Sequence, residues 1–130
     1  MSDGHGHWRW GILGAGAAAR GMAAALQAVN GRIGAIASRR AETAQALAAE
    51  CGIQRVHATP DALVSDPDLD VIYIASPHDS HHHWMKAAVA AGKHVLCEKA
   101  ITLNSRQLAE VCELARQKKV LVLEAMTIHH

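Results

Sequence analysis

The stretch Trp8-Arg-Trp-Gly-Ile-Leu-Gly-Ala-Gly-Ala-Ala-Ala19 decides the fold of this 130-residue chain. Its glycines at 14 and 16 and its alanine at 19 form a G-x-G-x-x-A pattern. A short apolar run precedes the pattern and an alanine-rich run follows it. That order predicts a strand, a tight turn and a helix, which is the context in which such a pattern binds a dinucleotide.

Each position of this pattern has a physical reason. Gly14 permits the tight turn, Gly16 lets a pyrophosphate approach the backbone, and Ala19 lets the helix pack closely on the strand. The first helical residues, Ala17 and Ala18, would present free backbone N–H groups and the helix dipole to the phosphates. The pattern alone is a weak signal, so the rest of the chain has to support it.

Strands and helices alternate along the remaining sequence. The apolar runs predict strands at 8–13, 33–37, 55–57, 71–75, 94–97 and 120–124. The runs between them predict helices at 17–29, 41–50, 80–91 and 105–118, with a short helix starting at Thr59-Pro60. In the last helix we expect one apolar face, formed by Leu108, Val111, Cys112 and Ala115. Six strands with helical crossovers predict an α/β fold, a Rossmann-type doubly wound parallel sheet in the order 3-2-1-4-5-6.

Composition excludes several classes of function. Thirteen basic residues oppose 12 acidic ones, which argues against a nucleic-acid footprint or a polybasic membrane anchor. No apolar run reaches membrane-spanning length. The three cysteines are widely spaced without a C-x-x-C pair, so we expect reduced, mostly buried thiols and a cytoplasmic protein. Residues 1–7 are polar and are expected to form a disordered tail.

The end of the predicted second strand indicates which cofactor the fold would bind. NAD enzymes usually place a carboxylate there for the ribose 2′-hydroxyl, whereas this chain has Ser38, Arg39 and Arg40. A guanidinium pairs with a 2′-phosphate that a carboxylate would repel. The alternative is that both arginines are solvated charges, but cations are disfavoured at a helix start. We therefore expect NADP, with NAD less favoured.

Two further segments carry a family resemblance. They are Ser76-Pro-His-Asp-Ser-His81 and Ala91-Gly-Lys-His-Val-Leu-Cys-Glu-Lys-Ala100. Together with the glycine-rich turn they make residues 8–126 resemble the Gfo/Idh/MocA oxidoreductases, whose pattern includes T-P-N-x-x-H-like and A-G-K-H-V-x-x-E-K-P segments. The Ser-Arg pair at the end of strand two is similar to the NADP-using branches, such as dimeric dihydrodiol dehydrogenases.

The resemblance implies roles for individual residues. Lys99 would be the catalytic lysine near the nicotinamide, placed to donate a hydrogen bond to a developing oxyanion or to relay a proton. Glu98 would contact the nicotinamide ribose region. The cofactor site would also include Ser76, Pro77, His78, His81 and Lys99 itself, with Pro77 and His81 beside the nicotinamide. The alternatives without a functional role are that Lys99 is a solvated loop lysine and that His81 is a surface histidine.

Departures from the family pattern affect the same segments. Ala100 stands where the family has proline, so the loop after Lys99 is less constrained. His78 stands where the family has asparagine. His78 and His82 are four residues apart and His83 is adjacent, but no cysteine or carboxylate completes a ligand set, so we expect no metal.

The resemblance also implies a second domain that carries the substrate pocket. Residues 127–130 are expected to begin the crossing to that domain, and the chain is then a fragment, a truncated form or a stand-alone module. The predicted function is the nucleotide-binding domain of an NADP-dependent oxidoreductase acting on a sugar, polyol or diol, with this chain alone inactive. The alternatives are a non-catalytic dinucleotide-binding or sensing module and a structural domain without ligand. Neither a nucleic acid nor a membrane is an expected partner. The oligomeric state stays open, with a dimer as one expectation for the full-length protein.

Overall fold

Strands and helices alternate in the computed structural model, which describes residues 8–14, 16–28, 32–53, 55–75, 81–98 and 105–125. The strands are β1 (Arg9–Leu13), β2 (Arg32–Ala37), β3 (Val71–Ile74), β4 (His94–Glu98) and β5 (Val122–Ala125). The helices are α1 (Ala17–Ala28), α2 (Ala41–Cys51), α3 (Pro60–Val64), α4 (His81–Ala90) and α5 (Ser105–Lys118). The expectations for residues 1–7 and 127–130 lie outside the described residues.

The five strands form one parallel sheet in the order β2-β1-β3-β4-β5. The predicted third strand, 55–57, is reduced to one parallel bridge between Val56 and Ile36 of β2. Its two hydrogen bonds run from Ile36 N to Arg55 O (3.1 Å) and from His57 N to Ile36 O (2.9 Å). Because the bridge lies on the outer side of β2, the predicted order is confirmed. Pairing extends no further since the chain turns into α3, where Thr59 Oγ1 accepts a hydrogen bond from Ala62 N (3.2 Å).

Helices cover the sheet from both sides. Alternate strand residues point to opposite faces, so Ile12 and Tyr73 pack with α1 and α2, whereas Leu13 and Ile74 pack with α3, α4 and α5. Ala19 is fully buried in the first of these clusters, which confirms its predicted role in close helix–strand packing.

The prediction of an apolar buried face on α5 is correct for two of its four residues. Val111 and Ala115 are buried, but Leu108 is 44% exposed and Cys112 is exposed. α5 packs mainly against α4, and Val111 and Ala115 are its buried residues. The expectation of mostly buried thiols is likewise wrong, because Cys97 is buried while Cys51 is only partly buried.

A buried carboxylate organises the loop between α3 and β3. The Asp66 side chain is 1% exposed and accepts hydrogen bonds from Arg55 Nη2 (2.5 Å), His57 Nε2 (2.7 Å) and Asp68 N (2.8 Å). Burial raises the pKa of Asp66, but these hydrogen bonds and the Arg55 charge outweigh it and hold that pKa below its usual value. Lys93 Nζ donates to the carbonyl oxygen of Asp66 (2.5 Å) and to a second carbonyl in the same loop. This network joins three chain segments around the loop that leads into β3.

No helix in the described ranges is both long enough and apolar enough to cross a membrane.

Candidate functional site

The strand register brings the predicted site segments to one edge of the sheet. Leu13 of β1 pairs with Ala37 of β2 on one side and with Ile74 of β3 on the other. The residues that follow these three therefore meet at the carboxyl edge. The chain leaves β1 toward β2 but leaves β3 toward β4, so β1 and β3 flank the point where the winding direction reverses. Ligands of open α/β sheets bind at this point.

Gly14, the first residue after β1, is required by the backbone. Its φ is +129°, a conformation that residues with a side chain rarely adopt. A Cβ at this position would also lie 2.9 Å from the carbonyl oxygen of Ala75, the residue that follows β3. The Gly14 N–H donates to the Ala37 carbonyl (2.8 Å), and Ala75 N donates to the Leu13 carbonyl (2.8 Å). The predicted role of Gly14 in the tight turn is confirmed.

Gly16 is not required by packing. Its carbonyl accepts from Arg20 N (3.0 Å), so α1 begins directly after it, with Ala17 and Ala18 as the first helical residues. A Cβ built on Gly16 would meet no described heavy atom within 4 Å, its chain neighbours aside. The first turn of α1 contains no acidic residue. As far as the described residues go, open space therefore lies beside a helix N-terminus at the carboxyl edge, which is the setting of an anion site.

The turn after β2 is held by hydroxyl groups. Ser38 Oγ lies 2.6 Å from the Arg40 carbonyl oxygen and 2.7 Å from Thr43 Oγ1. Thr43 Oγ1 donates to the same carbonyl (2.8 Å). Ser38 is only 7% exposed. Sequence reasoning missed Thr43, although a hydroxyl side chain in the first turn of an alanine-rich helix was a usable signal.

Arg39 and Arg40 lie immediately before α2, where the sequence predicted the helix to begin, and both are exposed. Arg40 is the N-cap residue, yet its side chain makes no capping hydrogen bond. Its Nε lies 3.4 Å from Glu42 Oε1, and both side chains are more than 70% exposed, so water screens this pair. Arg39 has no ion-pair partner among the described residues. The Arg39 guanidinium is therefore more available than that of Arg40 to bind an anionic ligand.

The segments after β3 and β4 are only partly described. Ile74 pairs with Cys97, so the next residues, Ala75 and Glu98, are neighbours at the same edge. His81 is the first residue of α4 and Glu98 is the last residue of β4. Four predicted site residues lie outside the described residues: Ser76, Pro77, His78 and Lys99.

The histidines of α4 form no metal-ligand cluster within the described ranges. His82 Nε2 lies 3.2 Å from Glu110 Oε1 of α5, close enough for an ion pair, but the two groups are not aligned for a hydrogen bond. Lys86 Nζ lies 3.5 Å from the other oxygen of the same carboxylate. These contacts link α4 to α5.

Comparison with known proteins gives the same fold and names the family. Residues 8–126 match the sequence model of an oxidoreductase family with an NAD-binding Rossmann fold. The chain is 38% identical over 117 residues to D-xylose 1-dehydrogenase (NADP(+)) 2 of Haloferax volcanii, covering 89% of this chain and 36% of that protein. It is 34% identical over 120 residues to trans-1,2-dihydrobenzene-1,2-diol dehydrogenase of Xenopus tropicalis, covering 90% and 36% respectively.

A solved oxidoreductase structure has the same fold as this chain. The 3-ketoreductase of Actinomadura kijaniata, in complex with TDP-benzene and NADP, matches at a TM-score of 0.82 with 34% identity, covering 90% of this chain and 36% of that one. The chain thus spans about a third of the length of the relatives it matches. It belongs to the Gfo/Idh/MocA oxidoreductase family, in which it corresponds to the NAD(P)-binding Rossmann domain.

Proposed function

We propose that this domain holds the nicotinamide cofactor of an oxidoreductase that moves hydride to or from a hydroxyl-bearing carbon of a sugar, polyol or diol. The observation that carries the proposal is the open space at Gly16. A glycine that packing does not require, beside the N–H groups of a 12-residue helix, suits a pyrophosphate. The activities for which the xylose dehydrogenase and the dihydrobenzenediol dehydrogenase are named support the substrate class.

The proposed cofactor is NADP rather than NAD. Ser38, Arg39 and Arg40 occupy the segment after β2, which contains no carboxylate. Arg39 would make the stronger contact with a 2′-phosphate, because Arg40 is shared with Glu42. The NADP named with the xylose dehydrogenase and with the solved ketoreductase supports this preference.

The nicotinamide half of the cofactor would lie across β3 and β4. The bound cofactor supplies the hydride acceptor or donor. Our proposal assigns Ser76, Pro77, His78, His81 and Glu98 to its surroundings, and Lys99 to the reacting oxygen of the substrate. An ammonium group there would donate a hydrogen bond to the oxygen as negative charge develops, or would transfer its proton. The adjacency of the β3 and β4 ends supports this arrangement.

We also propose that polypeptide beyond these 130 residues supplies the wall of the substrate pocket, since this chain spans only about a third of the length of its relatives. The same polypeptide would cover an apolar area toward the amino ends of the strands, away from the proposed cofactor edge. On the α1 side of the sheet, Trp8, Leu121 and Leu123 are 46%, 62% and 55% exposed. With their neighbours they line an apolar cavity of about 250 Å³ over β4 and β5. Parallel sheets are normally covered on both faces. The part of the relatives that this chain does not match is long enough to provide that cover.

Calorimetric titration of the 130-residue chain with NADP and NAD tests the proposal. We expect NADP to bind roughly tenfold to a hundredfold more tightly, which is the value of one charge-assisted phosphate contact. The Arg39→Gln substitution should lower the ratio of NADP affinity to NAD affinity. Arg32→Gln is the matched control, since Arg32 is an exposed arginine at the opposite end of β2. Equal affinities for the two cofactors would refute the NADP preference, and binding of neither would refute the proposed function.

A further inference from the structure

Two hydroxyl groups and one carbonyl meet at the start of α2, and we call this group the hydroxyl clamp. It consists of Ser38 Oγ, Thr43 Oγ1 and the Arg40 carbonyl oxygen, with the three pairwise distances between 2.6 and 2.8 Å. The same carbonyl also accepts from the backbone N–H groups of Thr43 (3.1 Å) and Ala44 (3.3 Å). The clamp therefore ties the segment before the helix to the first turn of the helix.

The clamp fixes the backbone of the N-cap residue without capping the helix. Serine, threonine, aspartate and asparagine stabilise this position, because their side chains accept a hydrogen bond from the first turn. Arg40 occupies it with an extended backbone (φ −114°, ψ 116°) and without a side-chain cap. The Ser38 and Thr43 hydroxyls both donate to the Arg40 carbonyl oxygen. They therefore hold the peptide group of Arg40 in place but do not pair the free N–H groups of the first turn.

We infer that Thr43 is a positioning residue for cofactor selectivity, and this inference rests on the proposed function. Its hydroxyl holds residues 38–40 in the conformation that directs Arg39 and Arg40 toward a 2′-phosphate. Without the clamp, the backbone that carries these two side chains also has to be ordered when the ligand binds, and that additional ordering weakens binding. NAD lacks the 2′-phosphate and binds mainly through the pyrophosphate at Gly16. Loss of the clamp should therefore weaken NADP binding and leave NAD binding nearly unchanged.

Thr43→Val tests the inference, because valine has nearly the shape of threonine and lacks the hydroxyl. In calorimetric titrations of the 130-residue chain, we expect the NADP-to-NAD affinity ratio to fall roughly threefold to tenfold, as for the loss of one hydrogen bond. Thr43→Ser should restore the ratio. Thr43→Ala, which favours the helix, should lower the ratio as valine does, so that poor folding cannot explain the result.

Thr59→Val is the matched control, because Thr59 Oγ1 stabilises the start of α3 and lies outside the clamp. It should lower the thermal midpoint and leave the affinity ratio unchanged. The inference is overturned if Thr43→Val keeps the wild-type ratio, if it weakens both cofactors equally, or if Thr43→Ser fails to restore the ratio. A wild-type chain without NADP preference overturns the proposed selectivity and this inference together. A wild-type preference that survives Thr43→Val overturns the inference alone.

Discussion

The Gly16→Val substitution tests whether Gly16 is needed for cofactor binding or for folding. A Cβ at Gly16 meets no described heavy atom within 4 Å beyond its chain neighbours. The described glycines with positive φ are Gly14, Gly52 and Gly92, so Gly16 has no conformation that forbids a side chain. The substitution should therefore change the free energy of unfolding by no more than about 0.5 kcal/mol, as is usual for surface positions.

The effect on cofactor binding should be much larger. A valine side chain would fill the space through which the pyrophosphate approaches the first turn of α1. Hydrogen bonds to charged groups contribute about 1.5–3 kcal/mol each, so losing two costs roughly 3–6 kcal/mol, or a factor of at least about a hundred in Kd. NADP and NAD should lose affinity equally, because both carry the pyrophosphate. Isothermal titration calorimetry and a urea unfolding curve on the same sample measure the two effects.

Gly21→Ala is the matched control within the same helix. A Cβ on Gly21 would also meet no described heavy atom within 4 Å apart from its chain neighbours and the backbone of its own helix, and Gly21 lies inside α1 rather than at its start. The alanine should stabilise the helix by up to about 1 kcal/mol and leave cofactor affinity unchanged. If Gly16→Val binds NADP as tightly as the wild type, the space beside Gly16 is not a phosphate site and the reasoning is wrong.

Three other substitutions give further tests, two of them argued from the structure and the third from the role proposed for Lys99. Gly14→Ala should destabilise the fold by about 1–3 kcal/mol, because it combines a strained φ with a Cβ 2.9 Å from the Ala75 carbonyl oxygen; an unchanged urea midpoint would contradict this. The lowered pKa of Asp66 means that its ionised form adds stability above the ordinary aspartate pKa of about 3.9, and that this stability is lost as pH falls below it. Asp66→Asn should therefore flatten the acid limb of the stability curve, and an identical limb in both proteins would refute the role of its contacts with His57. In the complete protein, Lys99→Ala should reduce turnover about a hundredfold or more with NADP affinity kept, and wild-type turnover would show that Lys99 is a surface lysine.

Local sequence patterns were sufficient for most of the fold. The apolar run at 71–75 and the glycine-rich turn at 14 could be predicted because each is recognised from residues adjacent in the sequence. The short third strand was predicted less well, because its length depends on where α3 begins and on contacts with β2. The exposure of Leu108 and Cys112 depends on how α5 packs against α4, which periodicity alone does not reveal.

The functional site likewise combines features that the sequence predicts with features that it does not predict. The role of Gly14 in the turn was predicted from its place in the G-x-G pattern, and the role proposed for Gly16 rests on the same pattern. The hydroxyl clamp was missed, since it depends on side chains five residues apart converging on one carbonyl. The Asp66 network was also missed, because Lys93 Nζ reaches back 27 residues to the Asp66 carbonyl. Contacts of this kind can be recognised only from the three-dimensional structure.

Backbone amide chemical shifts recorded during titration with NADP show whether the carboxyl edge of this sheet is the cofactor site. We expect the amides of residues 16–20 and 38–42 to shift on NADP addition, and those of 68–70 and Lys93 to stay unchanged. The amides of 38–42 should shift less with NAD, which lacks the 2′-phosphate. Shifts centred on 68–70 and Lys93, or no shift at residues 16–20, would rule out a cofactor site at this edge.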